Sequence, residues 1–153
     1  MIVGDNKMKR ILITGENSFI GTNFERYSKE FYSSEILIDT ADLKKPNWRD
    51  KSFSGYDCIF HVAGLAHVDV RRASNKTKRH YYEINTELAV EAAEKAKRDG
   101  VKQFVFMSSM IIYGNSAPIG ELKKINKDTP TVPINFYGNS KLLADLKLQL
   151  LAD

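Results

Sequence analysis

Tyr137 and Lys141 stand four residues apart, the spacing that sets two side chains one turn apart on the same face of a helix. A phenol beside an ammonium, with the hydroxyls of Ser108-Ser109 at the end of an apolar run, makes an acid–base set. An exposed tyrosine titrates near about 10 and is a poor base at neutral pH. A neighbouring positive charge favours the phenolate and lowers that value. Ser109 would then hold a hydroxyl between itself and Tyr137. Tyr and Lys at this spacing are common on helices, so spacing alone favours an ordinary helix face.

Such a set needs a scaffold, and the scaffold opens with Ile11-Leu12-Ile13-Thr14-Gly15-Glu16-Asn17-Ser18-Phe19-Ile20-Gly21. A short branched run ends in a glycine turn, and helical spacing begins at once, with Ile20, Phe24, Tyr27 and Phe31 on one face. This is the strand–turn–helix opening of a nucleotide-binding β-α-β unit. Gly15 permits the tight turn and Gly21 lets helix and strand pack closely. The free amides at the helix start, around Ser18, Phe19 and Ile20, face a pyrophosphate. An ordinary βα turn has the same appearance, so the glycines alone are weak evidence. Glu35-Ile36-Leu37-Ile38-Asp39 reads as a second buried strand ending in an acid. That acid falls near the distance at which such units bind the adenosine ribose diol. A carboxylate there repels a 2′-phosphate, so NAD is favoured over NADP; the alternative is an acid that caps a turn.

The 153 residues suit a single domain with a sizeable core. No apolar run approaches the length that spans a membrane. Met1–Lys7 lacks the apolar segment of a signal peptide, so residues 1–9 are expected to form an N-terminal extension before one domain, 10–153. The net charge of +4 is mild. Its denser patch, Arg71, Arg72, Lys76, Lys78 and Arg79, reads as a solvated face, and no element that reads nucleic acid accompanies it. The single cysteine, Cys58, lies in an apolar run, which fits a buried thiol, a reducing compartment and a cytoplasmic location. His61 and His67 read as packing or loop residues; a metal pair would need further ligands, and no metal is expected.

Farther along, Lys44 to Gly55 is polar with Pro46 inside it, so a usual third strand and its helix are compressed or missing. Tyr56 to Gly64 is the next strand and its exit, where Ala63-Gly64 lets a cofactor pass closely. Residues 81–97 form a strong helix with Asn85, Leu88, Ala92 and Ala96 on one face and Asp99-Gly100 as its stop. Val101 to Met107 reads as a buried strand. It ends at Ser108-Ser109, where open α/β sheets place their ligands. Asn115 to Asn135 is a long loop with Pro118, Pro130 and Pro133, and the last helix, 136–151, carries Leu143, Leu146 and Leu150 on one stripe. The expected fold is α/β: a Rossmann-type, doubly wound parallel sheet in the order 2-1-4-5, truncated before the last strands and the substrate domain.

Four stretches, in this order, resemble one family. They are Thr14-Gly15-x-x-x-Phe19-Ile20-Gly21, Asn85, Ser108-Ser109-x-x-x-Tyr113-Gly114 and Tyr137-Gly138-x-Ser140-Lys141. The extended short-chain dehydrogenases/reductases, which include the NAD-dependent sugar-nucleotide epimerases and dehydratases, carry the same series. Pro118, Glu121 and Pro133 fall in matching places. The resemblance implies NAD as cofactor and a nucleotide sugar as substrate. It implies Tyr137 as general acid/base, Lys141 as the residue binding the nicotinamide ribose and tuning Tyr137, Ser109 as the hydroxyl partner and Asn85 as support. It also implies Asp39 at the adenosine ribose and Asp42-Leu43 at the adenine edge, with Gly15, Ser18, Phe19, Ile20, Gly21, Ala63, Gly64 and Ser108 lining the cofactor.

Several departures shape the expected activity. Ser18 stands where the family's turn has its middle glycine. The sugar 4,6-dehydratases carry an Asp-Glu pair where this chain has Met110 and Ile111, so dehydration has no evident catalyst. The hexose 4-epimerases often have Lys where this chain has Ala66. The expected parent activity is 4-epimerisation, with a 4-keto reductase and a non-catalytic NAD-binding fragment as alternatives. Family members are longer, and their added part supplies most of the sugar pocket, so this chain alone is expected to turn over poorly. Helices 81–97 and 136–151 are the pair that resembling enzymes use to build a dimer, so a homo-oligomer is expected.

Overall fold

The computed structural model describes residues 8–66 and 72–152; His67, Arg71 and the extension to Lys7 lie outside the described residues. The chain divides into two compact units, Met1–Ala63 with Ala92–Met107, and Gly64–Glu91 with Ser108–Asp153.

In the first unit β1 (Lys9–Thr14), β2 (Ile36–Ala41), β3 (Cys58–His61) and β4 (Gln103–Phe106) form one parallel sheet in the order β2-β1-β3-β4. This is the expected order with the third strand absent. Central parallel strands are covered on both faces and therefore need near-continuous apolar runs. Ile13 and Ile59 are fully buried, and so are Thr14 and His61, whose Oγ1 and Nδ1 meet at 2.7 Å. The His61 ring stacks on Phe104 and Phe106, a packing role as expected. β4 lies at the sheet edge, so its residues alternate exposed and half-buried where the apolar run predicted a buried strand.

α1 (Phe19–Phe31) sits on the sheet through Gly21, Phe24 and Ser28. Ile20, Tyr27 and Phe31, expected to share a face with Phe24, are exposed. The cause is Gly21. A Cβ there would lie 3.1 Å from Ile13 Cγ2 and 2.8 Å from Ser18 Oγ, so the helix approaches closest at this position and its rotation follows. The aromatic stripe rolls outward, and Tyr27 packs instead on Phe31, with ring centroids 4.7 Å apart.

Between β2 and β3 a 3₁₀ turn, Pro46–Asp50, replaces the missing strand and helix. Its Trp48 and the nearby Phe53 are buried and stacked, 6.2 Å between centroids. The Phe53 N–H donates to Asp99 Oδ2 at 2.6 Å, tying this plug to the turn before β4.

The second unit holds α2 (Asn75–Tyr82), a π-helical turn (Glu83–Glu87), the start of α3 (Leu88–Arg98), a 3₁₀ turn (Met110–Tyr113) and α4 (Phe136–Gln149). The single helix expected at 81–97 is therefore the last part of a longer run, 75–98, widened at its middle. Among the described residues no helix is long and apolar enough to cross a membrane.

Candidate functional site

The glycine turn of the first unit has the geometry its residues require. Gly15 has φ +117°, and a Cβ on it would stand 2.8 Å from the Ala63 nitrogen. Asn17 also takes a left-handed conformation, φ 62°, which asparagine tolerates better than most residues. The Gly15 N–H donates to the Ala41 carbonyl at 2.9 Å and the Ala63 N–H to that of Thr14 at 2.8 Å. These bonds fix the turn at the carboxyl ends of β1, β2 and β3. Ser18 caps α1: its Oγ accepts from the Gly21 N–H at 3.1 Å, which leaves the hydroxyl proton free to donate. The Phe19 and Ile20 N–H groups belong to the first turn and have no partner within the helix. A cradle of this kind, at the start of a helix of 13 residues, fits a pyrophosphate.

The two acids near this turn have different surroundings. Asp39 lies inside β2, opposite Leu12, and its Oδ2 accepts from Arg10 Nη2 at 3.0 Å and from the Tyr56 hydroxyl at 2.9 Å. Burial and this bond to Asp39 raise the Tyr56 pKa. Strand β2 runs two residues beyond the end read from the sequence, because its pairing with β1 continues to Ala41 opposite Thr14. The acid directly after the strand is Asp42, whose Oδ1 accepts from the Lys44 N–H at 2.9 Å. Leu43 beside it is buried.

In the second unit four of the expected residues come together with Ser140. Asn135 caps α4, its Oδ1 accepting from the Gly138 N–H at 2.9 Å. Tyr137 and Lys141 then fall on successive turns. Tyr81 sets its ring edge-on to Phe136 and Tyr137, at 5.0 and 6.0 Å. Lys141 is 5% exposed, and burial lowers its pKa to about 8 while the Asp145 charge acts the other way. Asn85, fully buried, accepts from the Leu65 N–H at 2.7 Å and donates to the Leu65 carbonyl and Ser140 Oγ, both at 3.1 Å. Thr86 Oγ1 donates to the Ser140 carbonyl at 2.7 Å. The π-helical turn makes this possible: its extra residue turns both Asn85 and Thr86 inward, where a regular helix would set neighbours 100° apart. Such wide turns are frequent at functional sites. Gly64 faces this cluster, and a Cβ on it would lie 3.1 Å from Asn85 Oδ1 and 3.2 Å from Lys141 Nζ.

Ser109 caps the 3₁₀ turn, its Oγ accepting from the Ile111 N–H at 3.4 Å. Ser108 Oγ donates to Asp145 Oδ2 at 2.5 Å. Burial, the largest influence, raises the Asp145 pKa against this bond and the Lys141 charge. Asp145 was not picked out from the sequence, although its i+4 spacing from Lys141 was there to see. Thr86 also escaped, since nothing in its type distinguishes it from a surface hydroxyl, and Ser140 was quoted within its motif without a role of its own. Among the described residues no group of three or more His, Cys, Asp or Glu could hold a metal ion.

Comparison with known proteins adds ancestry to this geometry. Residues 11–153 match the model of the NAD dependent epimerase/dehydratase family. The chain is 31% identical over 168 aligned residues to a UDP-glucose 4-epimerase of Vibrio cholerae, covering 99% of this chain and 50% of that protein. A UDP-glucuronic acid 4-epimerase from Bacillus cereus, solved with NAD, shares the fold at TM-score 0.71 and 17% identity, over 92% of this chain and 51% of that one. The RMD protein of Pseudomonas aeruginosa, solved with NADPH, does so at TM-score 0.73 and 23% identity, over 91% and 48%. The chain thus spans about half the length of the relatives it matches.

Proposed function

Because the chain belongs to the NAD dependent epimerase/dehydratase family, we propose that it carries the dinucleotide-binding and acid–base residues of a nucleotide-sugar 4-epimerase. The amides at the start of α1, with Gly15, Ser18, Phe19, Ile20 and Gly21 around them, hold the pyrophosphate of NAD. Asp42, at the end of β2, accepts hydrogen bonds from the adenosine ribose, and Leu43 lines the adenine. We take this role from Asp39, whose carboxylate is engaged by Arg10 and Tyr56. The small residues Ala63 and Gly64 border the cofactor, and Ser108 lies along it. Lys141 binds the nicotinamide ribose. Bound NAD would supply the acceptor, and then the donor, of a hydride at the sugar carbon. Tyr137 Oη takes the sugar hydroxyl proton as the hydride leaves and returns it when the hydride returns. Ser109 Oγ orients that hydroxyl, and Asn85 holds the loop at Leu65 in place.

The observation that carries this reading is the burial of Lys141. An ammonium withdrawn from water costs stability unless its surroundings compensate, so a buried lysine one turn from a tyrosine is seldom accidental. Calorimetric titration with NAD tests it. The chain should bind NAD, Lys141→Met should weaken binding, and Tyr137→Phe should leave binding intact. Any interconversion of UDP-glucose and UDP-galactose that the chain supports should vanish in Tyr137→Phe. A chain that binds no NAD, or turnover that survives Tyr137→Phe, overturns the proposal.

A further inference from the structure

α4 turns a polar face inward. Its buried residues are Gly138, Ser140, Lys141 and Ala144, and its leucines 143 and 146 lie outside. Asp145 flanks that inner face, half-buried, one turn beyond Lys141 and two beyond Tyr137. Its carboxylate receives the short bond from Ser108, the residue directly before Ser109. A carboxylate and an ammonium both drawn out of water on adjacent turns are far less costly together than either alone.

We propose that Asp145 is the positioning residue of the Tyr137–Lys141 pair, anchoring the Ser108-Ser109 segment through Ser108 Oγ and supplying the counter-charge for Lys141. The catalytic meaning of this role rests on the function proposed above; the coupling itself does not. Two features separate it from plain packing. The bond to Ser108 is charge-assisted, with a hydroxyl donating to a carboxylate that has lost part of its hydration. Asp145 also acts on Lys141 in the opposite sense to burial, so it sustains a cation that the surroundings would neutralise. Tyr137 and Asp145 lie one turn either side of Lys141 on its own helix, and Tyr81 of α2 stands edge-on to Tyr137. The π-helical turn and the Gly64 loop bring the uncharged Asn85 and a glycine backbone.

The charge can be removed without removing the hydrogen bond. In Asp145→Asn an amide oxygen still accepts from Ser108, whereas Asp145→Glu keeps the charge. The test is an NMR titration of lysine side chains in the ligand-free chain, with Lys141 assigned by its loss in Lys141→Met. Lys141 should titrate near 8 in the unmodified chain. Its midpoint should fall by about half a unit or more in Asp145→Asn and recover in Asp145→Glu. Ser108→Ala supplies a second arm that does not touch α4. It removes the bond that favours the Asp145 carboxylate, so the Asp145 midpoint should rise. An unmoved Lys141 midpoint in a folded Asp145→Asn protein overturns the proposal; should that variant fail to fold, an unmoved Asp145 midpoint in Ser108→Ala does so. Loss of NAD binding with both couplings intact would instead count against the proposed function and leave this inference standing.

Discussion

Gly64 and Lys141 are held so close that the glycine hydrogen stands where any side chain would press on the lysine ammonium. The distances for a Cβ, 3.2 Å to Lys141 Nζ and 3.1 Å to Asn85 Oδ1, are tight without being impossible. Lys141 is a flexible chain and can retreat; Asn85 cannot, since three hydrogen bonds fix it to Leu65 and Ser140. Gly64→Ala should therefore cost about 1 kcal/mol in urea unfolding, at the low end of overpacking. It should weaken NAD binding by more than that stability loss explains. Unchanged binding would mean that Lys141 can move without consequence.

Lys141 should also leave a signature in the pH dependence of stability. Its pKa falls from the ordinary 10.5 to about 8 in the folded chain. Between those values the unfolded chain binds the proton and the folded chain does not, so stability rises as the pH rises from about 8 toward 10.5. Below about 8 that contribution is lost. Its size is on the order of 3 kcal/mol for a shift of this extent. Tyr56 and Tyr81, whose pKa values are raised chiefly by burial, oppose it at the alkaline end, where folded chains keep protons that unfolded ones release. Comparison with Lys141→Met cancels the tyrosines. The stability difference between the two proteins should shift in favour of the unmodified chain from about pH 7.5 to about pH 9.5. Parallel curves would show that Lys141 is not desolvated in solution.

The fold class and strand order were legible because short branched runs, a glycine turn and long helical periods are local signals. The polar stretch around Pro46 likewise announced the lost third strand. What stayed hidden depended on contacts between distant residues. The end of β2 is set by pairing with Thr14, not by its own sequence, so the acid read at its tip, Asp39, lies inside the strand. The rotation of α1 follows from the contact of Gly21 with Ile13, which no periodicity of α1 alone contains. The wide turn at 83–87 is a departure from helical spacing, and spacing arguments assume there is none. Tyr137, Lys141, Ser109 and Asn85 were picked out as candidates through motif order rather than geometry, and Asp145 was passed over because it belongs to no quoted motif.

The two acids of the cofactor turn make a separate prediction. Asp42→Asn should weaken NAD binding by about tenfold, the loss of a charge-assisted bond to a ribose hydroxyl, and should narrow the preference over NADP. Asp39→Asn should leave both affinities nearly unchanged. Its effect on stability should stay below about 1 kcal/mol, because the Arg10 and Asp39 side chains are 42% and 43% exposed and water screens the pair. Calorimetry on the two variants decides the matter. A large loss in Asp39→Asn with none in Asp42→Asn would return the ribose to Asp39.

The outer side of α4 leads to the last prediction. Leu143, Leu146 and Leu150 follow one another at three and four residues, so they form a single stripe, and they are 38%, 50% and 78% exposed. Isolated exposed leucines are common on protein surfaces; three in register along one helix and its end form an apolar strip that the described residues leave largely uncovered. A second copy can cover it through a two-fold contact, in which each strip packs on its own counterpart and no further surface is needed. Sedimentation and light scattering should show a dimer that dissociates on dilution. Leu146→Glu, which puts like charges face to face at the centre of that contact, should yield a monomer with its thermal unfolding nearly unchanged. A chain that stays monomeric at high concentration, or a Leu146→Glu dimer, would show that α4 is not the association face.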